Sequence, residues 1–374
     1  MNPTEVRNMI ALTRVPHLTL MQAKNLYEQV GSATAIIENH SNIREICPDV
    51  SSHVEKVLKD MSEVLKRADM EMDFITKKNI KPLCFNDDEY PYRLKACPDA
   101  PLILFQCGNA NLNPQHVISI VGTRRCTQYG KDICKALMEQ MKEQCPDMLI
   151  VSGLAYGIDI NAHRAALQND FPTVGVLAHG LDRIYPATHR QTAIQMLEKG
   201  GLLTEYISGT TPEKCNFIRR NCIVAGIADA TIVVESASRG GALITAELAH
   251  SYDRDIFAFP GKVTDEFSVG CNNLIYQQKA GIITSAVDLL NAMGWEVKTK
   301  NEGKQQELFV ELSEEQLSIV DCLKDCESKQ INQIAIEVGL PVYIVSGLLY
   351  ELEEKGVVEV MGGARYRLLR SKLG

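Results

Sequence analysis

Two short apolar runs that each stop at a glycine constrain the fold of this chain more than any other feature. The first is VISIVGTRR, residues 117–125, and the second is LIVSGLAYGIDINAH, residues 149–163. Four or five apolar residues, largely β-branched, that end in glycine and small polar residues are typical of a buried parallel strand followed by a ligand loop. The sequence therefore predicts a parallel sheet with binding loops at the carboxyl ends of its strands.

The first loop has the residue types of an anion site. Thr123, Arg124 and Arg125 follow Gly122 and lead into a helix predicted near residues 128–144. Backbone N–H groups at the start of a helix attract anions, and two guanidinium groups add charge and paired donors. The alternative is that the glycines only let helices pack close to the strand ends. That alternative gives no reason for two adjacent arginines.

The second loop supplies further small residues, again in front of a helix. The residues that we expect at the site are Ser152, Gly153, Ala155, Gly157 and Asp159. Neither loop has the spacing G-x-G-x-x-G, so the fingerprint of a dinucleotide site is absent. Asp159 and His163, four residues apart at the helix start, are interpreted as groups that cap and orient the loop rather than as catalytic groups.

Strand and helix patterns alternate between about residues 81 and 297. Strands are predicted at residues 118–121, 149–151, 174–177, 202–204, 230–234 and 255–259. The alternation predicts an α/β domain with a Rossmann-like, doubly wound, mainly parallel sheet and right-handed crossovers. Ligand loops gather at the carboxyl ends of such strands. Further residues that we expect to line or support the site there are Tyr185, Glu205, Glu235, Gly240, Gly241, Thr245 and Asn272.

A basic and aromatic segment, FIRRN, follows at residues 217–221. Arginines can hold phosphates, a ring can stack on a base and an amide can read a base edge, which together suit single-stranded nucleic acid. The alternative is an arginine pair at a helix start with a phenylalanine in the core. Beside Arg124 and Arg125 that alternative is the weaker one. We predict nucleic-acid contacts for Phe217, Arg219, Arg220 and Asn221.

The composition limits the classes of function that remain. A net charge of −8 over 374 residues gives no global basic field, so a nucleic-acid site must be a local patch. The twelve cysteines contain no C-x-x-C, which favours neither a zinc site nor a disulfide framework. No signal-like segment and no apolar run near 18 residues is present. We expect a cytoplasmic protein with no membrane contact, cofactor or metal.

The first 80 residues are predicted to be a helical domain. An amphipathic helix over residues 18–30 stops at Gly31, and one longer helix follows over residues 54–72. The segment resembles a degenerate helix-hairpin-helix of SAM-like type. Its turn, His17-Leu18-Thr19, lacks the glycines that let backbone amides approach a phosphate. A structural cap is therefore favoured over a DNA clamp.

The end of the chain predicts a small separate domain. Residues 298–307 are polar and aperiodic, as in a linker, and residues 308–374 predict three helices and a hairpin, a winged helix. Ser313 and Gln316 form a capping box, and Pro341 is placed at N1 of the third helix. That helix is acidic and would be repelled by duplex phosphates. A protein-interaction or accessory role is favoured over duplex reading.

The order of the motifs resembles that of the DNA-processing protein A family, also called DprA or Smf. The matching segments are YPYRLKACPDAPLILF, SIVGTRR, VSGLAYGIDINAH, VGVLAHGLDRIYPATH, LLTEY, FIRRN, VVES, GGALITA and FAFPGKVTDEFSVGCNNLI, from Tyr90 to about Leu290. The resemblance implies a bacterial cytoplasmic protein that binds and protects incoming single-stranded DNA during natural transformation. It also implies that the protein loads RecA recombinase onto that strand for DNA recombination and works as a homodimer.

Matching the family's motifs residue by residue gives the phosphate contacts that the resemblance implies. They are Gly122, Thr123, Arg124, Ser152, Gly153, Arg220 and Asn221. Two departures stand out. The family's RNR-type triplet is Arg220-Asn221-Cys222 here, so a contact made by the second arginine in relatives is lost or is replaced by Arg219. In addition, Gly240-Gly241 stands where many members have Ser-Gly.

The enzymatic alternative is a nucleotide phosphoribohydrolase of the Lonely Guy type, whose site uses P-G-G-x-G-T-x-x-E. Residues 239–247 read RGGALITAE, without the proline and the third glycine and with Thr and Glu misplaced. No nucleophile elbow, metal-binding carboxylate cluster or P-loop accompanies Asp159, His163 and Glu205. We therefore expect that the chain is not an enzyme. A purely structural scaffold, the third alternative, leaves the strand-end arginines unexplained.

Overall fold

The chain folds as two compact units, Met1–Lys298 and Thr299–Gly374. The computed structural model describes residues 2–295, 312–324, 326 and 328–369. The predicted linker at residues 298–307 lies outside the described residues.

The first unit opens with helices. They are α1 (Pro3–Leu12), α2 (Leu20–Val30), α3 (Ala33–Glu38), α4 (Ser52–Leu58) and α5 (Ser62–Lys77). The predicted helix before Gly31 is confirmed, because Thr19 and Gln22 form a capping box and Gly31 closes the helix at φ 81°. The single helix predicted over residues 54–72 is wrong. Asp60 accepts hydrogen bonds from the backbone N–H and the hydroxyl of Ser62, and this local bonding accompanies a new helix start.

Strands and helices then alternate along the rest of the unit. They are β1 (Lys81–Cys84), α6 (Tyr92–Lys95), β2 (Ile103–Gly108), β3 (Val117–Val121), α7 (Gln128–Met141), β4 (Leu149–Ser152), α8 (Ile158–Gln168), β5 (Thr173–Val176), α9 (Arg190–Lys199), β6 (Gly201–Thr204), α10 (Lys214–Gly226), β7 (Ala230–Val233), α11 (Gly241–Ser251), β8 (Asp255–Ala258), α12 (Val269–Tyr276), β9 (Gly281–Ile282) and α13 (Ala286–Met293). Every strand predicted from the sequence is present. The sequence missed β1, β2 and β9, which lie toward the edges of the sheet.

The strands form one sheet in the order β1-β2-β6-β5-β4-β3-β7-β8-β9. All pairs from β6 to β9 are parallel, and β1 and β2 add an antiparallel edge. The Rossmann-like, doubly wound, mainly parallel fold is thus confirmed. The chain runs from β3 outward to β6 and then returns to β7 on the other side of β3. In such sheets a ligand crevice opens at this switch point.

Apolar residues of β3 alternate between two cores. Val117 and Val121 belong to a core that also contains residues of α1 to α5, whereas Ile118 and Ile120 belong to a core built with α7, α8 and α13. This alternation is what a strand buried on both faces requires. The N-terminal helices therefore share a continuous core with the sheet. A domain boundary near residue 80 stays a prediction.

The second unit contains α14 (Glu314–Lys324), β10 (Lys329–Gln330), α15 (Ile331–Val338), α16 (Val342–Glu354), β11 (Val358–Met361) and β12 (Arg365–Leu368). Its strands pair antiparallel in the order β10-β12-β11, consistent with the predicted winged helix. The capping box of Ser313 and Gln316 is confirmed. Pro341 is the N-cap of α16 rather than its N1 residue, a difference of one position.

Among the described residues, no single helix is long and apolar enough to cross a membrane. The pair α15 and α16 meets that criterion only jointly, and the two helices are bent by 107° relative to each other.

Candidate nucleic-acid interface

An open cleft of about 560 Å³ lies at the carboxyl ends of β3, β4 and β7. This is the switch point of the sheet, where the topology predicts a ligand crevice. Helix α10 and the start of α11 form its remaining walls. Its lining includes Gly122, Thr123, Arg124, Gly153, Ala155, Asp159, Lys214, Phe217, Ile218, Arg220, Asn221, Arg239, Gly240, Gly241 and Thr245. Most residues predicted to contact nucleic acid are therefore brought together.

The loop after β3 places one arginine in the cleft and turns the other away. Arg124 is exposed, and its guanidinium carbon lies 5.1 Å from the centre of the Phe217 ring. Arg125 instead stands 5.5 Å from the ring of Phe267 and is not among the lining residues. The loop is held by Thr123, whose N–H donates to the carbonyl of Glu235 at 2.7 Å. Arg124 thus combines a cation with an aromatic face at one place.

Two glycines of the site are needed for close packing. A Cβ on Gly157, which has φ 78°, would lie 2.1 Å from the carbonyl oxygen of Thr123. A Cβ on Gly122 would lie 2.3 Å from Cγ1 of Ile158. The loops after β3 and β4 are locked together at this point, and the N–H of Ile158 donates to the carbonyl of Thr123 at 3.1 Å. Close packing therefore requires glycine at both positions, and Gly122 also lines the cleft.

Asp159 orients the loop after β4, as predicted. Its carboxylate is buried and accepts hydrogen bonds from the N–H groups of Gly153 at 3.2 Å and Ala155 at 3.4 Å. Burial raises the pKa of Asp159, while the charge of Arg220 opposes the rise. These two loop amides are directed at a carboxylate of the protein itself. Any phosphate in the cleft must therefore find its donors elsewhere.

Ser152 and His163 do not fill the positions that the sequence predicted. Ser152 is fully buried and donates to the carbonyl of Ile120 at 2.6 Å, so a direct phosphate contact is wrong. His163 is also fully buried, and its Nδ1 lies 2.7 Å from the hydroxyl of Thr173 on β5. Burial lowers the pKa of His163 to about 3. His163 is a neutral core residue and does not orient the loop.

Arg220 lines the cleft but is only 4% exposed. Its Nη1 donates to the carbonyl of Val176 at 2.8 Å and to the carbonyl of Gly153, and its Nε donates to the side chain of Asn221 at 3.1 Å. A Cβ on Gly153 would lie 1.8 Å from that Nη1. Burial lowers the pKa of Arg220, and Asp159 opposes this. Arg220 braces two strand-end loops and adds positive charge beneath the cleft.

Arg219 lies outside the cleft. Its Nη2 is 2.9 Å from the carboxylate of Glu205, and both residues line a separate small cavity of about 60 Å³ with Arg14. Burial raises the pKa of Glu205, while Arg219 opposes the rise. Cys222 makes a contact of 3.8 Å with the carbonyl of Ile218 on its own helix. Arg219 and Glu205 were predicted at the nucleic-acid site, and the structure places them beside it instead.

The start of α11 forms the wall opposite the arginine loop. Asn221 donates to the carbonyl of Gly241 at 3.4 Å, and the hydroxyl of Thr245 donates to the same carbonyl at 3.0 Å. Gly240 has open space, because the nearest atom to an added Cβ is 3.9 Å away. A serine at that position, as in many relatives, would therefore fit.

Two of the predicted supporting residues, Glu235 and Asn272, fix loops around the cleft, and a third, Tyr185, lies close to Phe217. Glu235 accepts hydrogen bonds from the backbone N–H and the hydroxyl of Thr127 at the start of α7. Asn272 pairs its amide with the backbone N–H and carbonyl of Gly261. The ring of Tyr185 lies 6.2 Å from that of Phe217, at the edge of the cleft.

Sequence reasoning missed two exposed cations of the cleft, Lys214 and Arg239. Lys214 begins α10 three residues before Phe217, and Arg239 directly precedes Gly240, the N-cap of α11. The sequence signal that could have identified both residues is their position next to motifs that were already predicted. With Arg124 and Arg220 they give the cleft four cations, against the one carboxylate of Asp159 among its lining residues. The predicted local basic patch is therefore present on an acidic chain.

The cleft does not assemble a hydrolase site of the Lonely Guy type. Thr245 lines it, whereas Glu247 is exposed beside a different small cavity. Over the described ranges, no group of three or more His, Cys, Asp or Glu side chains could hold a metal ion.

Comparison with known proteins gives concordant matches. A family model described as DNA recombination-mediator protein A matches residues 81–294. A DNA processing protein of Mycobacterium tuberculosis (strain H37Rv) is 34% identical over 324 residues, which cover 83% of this chain and 82% of that protein. DNA processing protein DprA of Streptococcus pneumoniae is 40% identical over 204 residues, 54% of this chain and 71% of that protein.

Two solved structures of DNA processing protein A are also similar. The Streptococcus pneumoniae structure superposes with a TM-score of 0.64 and 32% identity, covering 78% of this chain and 98% of that chain. The Helicobacter pylori structure, described for its single-stranded DNA binding mode, gives a TM-score of 0.52 and 27% identity over 57% of this chain and 95% of that chain. The family model spans more than half of the chain, and the chain belongs to the DNA recombination-mediator protein A family, whose members include DprA and Smf.

Proposed function

We propose that this protein binds single-stranded DNA in the cleft and acts in DNA recombination without catalysing a reaction. The observation that carries the proposal is the stacking of Arg124 over Phe217 in a cleft that also holds Lys214 and Arg239. Cations hold phosphates and an aromatic face accepts any base, which is the combination that single-strand binding uses. The Helicobacter pylori relative, which is described for its single-stranded DNA binding mode, supports the same proposal.

The proposal assigns roles to the cations, the aromatic ring, the amide and the helix start that line the cleft. The exposed cations Arg124, Lys214 and Arg239 hold phosphates, and Phe217 stacks on a base. Asn221 can read a base edge, although in the unbound protein its amide nitrogen lies 3.4 Å from the carbonyl of Gly241. The backbone at the start of α11 adds N–H groups and the positive end of a helix dipole. Arg220 positions the second loop rather than contacting DNA.

A salt titration of binding to single-stranded and blunt duplex oligonucleotides tests the proposal. We expect tighter binding to the single strand with little sequence dependence, because phosphate contacts and stacking carry almost no sequence information. Each neutralised phosphate adds about −0.7 to the slope of log K against log salt for a single strand. Equal or tighter binding to the duplex would contradict the proposal.

We further propose that the protein protects incoming DNA in the cytoplasm during natural transformation, works as a homodimer and loads RecA recombinase. The description of the family as a recombination mediator supports this assignment. The test measures the rate of RecA filament formation on single-stranded DNA with and without the protein, and the molar mass of the protein in solution. We expect faster filament formation and a mass of twice 41.5 kDa. An unchanged rate and a monomer mass would contradict these assignments.

The enzymatic alternative has a direct test of its own. Incubation with AMP would release free adenine from a phosphoribohydrolase of the Lonely Guy type. We expect no release, because Glu247 lies outside the cleft that Thr245 lines. Release of adenine that an Arg124→Ala change abolished would replace the binding proposal with a catalytic one.

A further inference from the structure

Two half-exposed tyrosines lie along the carboxyl edge of the sheet, next to the cleft but outside its lining. Tyr156 follows β4 and Tyr185 lies between β5 and α9, and each residue is 47% exposed. Strands β3, β4 and β5 are direct neighbours in the sheet. Neighbouring strands are about 4.8 Å apart, so their end loops lie side by side. Large exposed aromatic residues at adjacent strand ends require a reason other than core packing.

Both tyrosines lie beside the same short turn, residues 187–189. The ring of Tyr156 packs edge-on against the buried His189, with centroids 5.0 Å apart, and Nδ1 of His189 donates to the carbonyl of Leu154 at 2.9 Å. Tyr185 immediately precedes Pro186 and the turn, and its N–H donates to Nε2 of His179 at 3.2 Å. The aromatic surface of Tyr156 and the backbone that carries the Tyr185 ring are therefore fixed before any ligand arrives. Such surfaces lose little conformational entropy on binding.

Tyr185 is linked to the cleft by the distance between rings, and Tyr156 is linked to it by its position in the chain. Phe217 lies under Arg124, and the Tyr185 ring is 6.2 Å from the Phe217 ring. Tyr156 directly follows Ala155, which lines the cleft. We infer that single-stranded DNA leaves the cleft across the ends of β4 and β5, where successive bases stack on Tyr185 and Tyr156. This inference rests on the proposed function and adds the path that the bound strand follows beyond the cleft.

The test compares Tyr156→Ala and Tyr185→Ala with wild type on two oligothymidylates, one of about 4 and one of about 16 nucleotides. Stacking contributes about 1–3 kcal/mol per base, so each variant should bind the long strand about 5- to 150-fold more weakly. The short strand, confined to the cleft, should bind as to wild type. The salt slope should not change, because no phosphate contact is lost. Tyr→Phe changes at both positions should retain wild-type affinity.

Three controls separate stacking from other effects. Tyr276→Ala removes an 87% exposed tyrosine on α12 and should leave binding to both strands unchanged. Tyr156→Leu and Tyr185→Leu keep a sizeable apolar side chain without an aromatic face, so they should weaken long-strand binding even where the alanine variant unfolds. Arg124→Ala should weaken binding to both strands.

Two outcomes overturn different claims. Wild-type binding of the long strand by the folded leucine variants, together with weak binding by Arg124→Ala, would overturn the tyrosine path alone. Wild-type binding by all of these variants, Arg124→Ala included, would overturn the proposed cleft as well.

Discussion

The exposed and the buried cations of the cleft have different roles. Arg124 is exposed above an aromatic ring, whereas Arg220 is buried, with its donors on two backbone carbonyls and an amide. An exposed guanidinium is free to form paired hydrogen bonds with a phosphate. A buried one stabilises the loops that hold the others. A substitution of Arg124 should therefore change the affinity for DNA, whereas a substitution of Arg220 should change the stability of the loops.

We expect Arg124→Ala to weaken single-strand binding by about 1.5–3 kcal/mol, the range for a hydrogen bond to a charged group. Arg124→Lys should recover part of this loss, because an ammonium keeps the charge but not the paired geometry. The salt slope should become shallower in the alanine variant. Arg164→Ala, which removes an exposed arginine of α8 outside the cleft, is the matched control. Wild-type affinity of a folded Arg124→Ala variant would place the DNA site elsewhere.

His163 makes stability depend on pH. Burial lowers its folded pKa to about 3, against about 6.5 when unfolded, so between these values only the unfolded chain binds the proton. Stability should therefore fall as the pH drops below about 6.5, by about 1.4 kcal/mol per pH unit from this group. His163→Asn keeps a donor near Thr173 and cannot titrate. Denaturant unfolding from pH 7 to pH 4 should show a smaller loss in the variant, and equal losses would contradict this origin.

At the scale of elements, the site depends on how closely three strand-end loops approach one another. The loop after β4 touches the loop after β3 at Gly157, and Arg220 from α10 reaches under it at Gly153. The carbonyl of Glu235, just after β7, accepts a hydrogen bond from the N–H of Thr123. The carboxylate of Glu235 accepts one from the N–H of Thr127 at the start of α7. The cleft is therefore an assembled unit, whose shape depends on contacts between segments that are far apart in the chain.

Two glycines of this assembly provide a matched pair. Gly153→Ala should destabilise the protein by about 1–3 kcal/mol, because the added Cβ would lie 1.8 Å from Nη1 of Arg220 and would displace a buried guanidinium. Gly240→Ala adds the same methyl group where the nearest atom is 3.9 Å away, so its effect on stability should be within about 0.5 kcal/mol. Thermal and denaturant unfolding measure both. Equal effects of the two substitutions on the free energy of unfolding would show that the side chain of Arg220 moves aside without destabilising the protein.

At the scale of the whole molecule, charge is distributed unevenly along an acidic chain. The cleft of the first unit gathers four cations, while α16 of the second unit carries Glu351, Glu353 and Glu354. The arginines of the wing are engaged locally, Arg365 with Ser328 and Arg367 with Glu359. Each unit also has its own hydrophobic core. The first unit is therefore expected to carry the affinity for DNA by itself.

Deletion of the chain from Glu307 onward tests this expectation. Single-strand affinity should stay within about threefold of the full chain, well below the 1.4 kcal/mol that makes a tenfold change. Circular dichroism and thermal unfolding of the truncated protein serve as the folding control. A loss much larger than tenfold in a folded truncation would show that residues of the second unit bind DNA.

The sequence alone predicts the six strands β3 to β8, the switch-point cleft and most of its loops. Local patterns carry this information, since a β-branched run that ends at Gly122 or Gly153 encodes a buried strand and its terminus within a few residues. The closing residue Gly31 and the capping box at Ser313 are equally local, because the groups that bond lie within one turn. Motif order was sufficient to indicate the family.

Which polar side chains face the cleft depends on contacts between segments that are far apart in the chain. Arg219 and Arg220 are adjacent and identical in type, yet one pairs with Glu205 beside another cavity and the other is buried under the second loop. Likewise Asp159 holds loop amides, whereas His163 on the same helix is buried against Thr173. Neighbouring helix positions point in directions about 100° apart. What each side chain meets is set by strands and loops distant in sequence, and no local pattern contains that information.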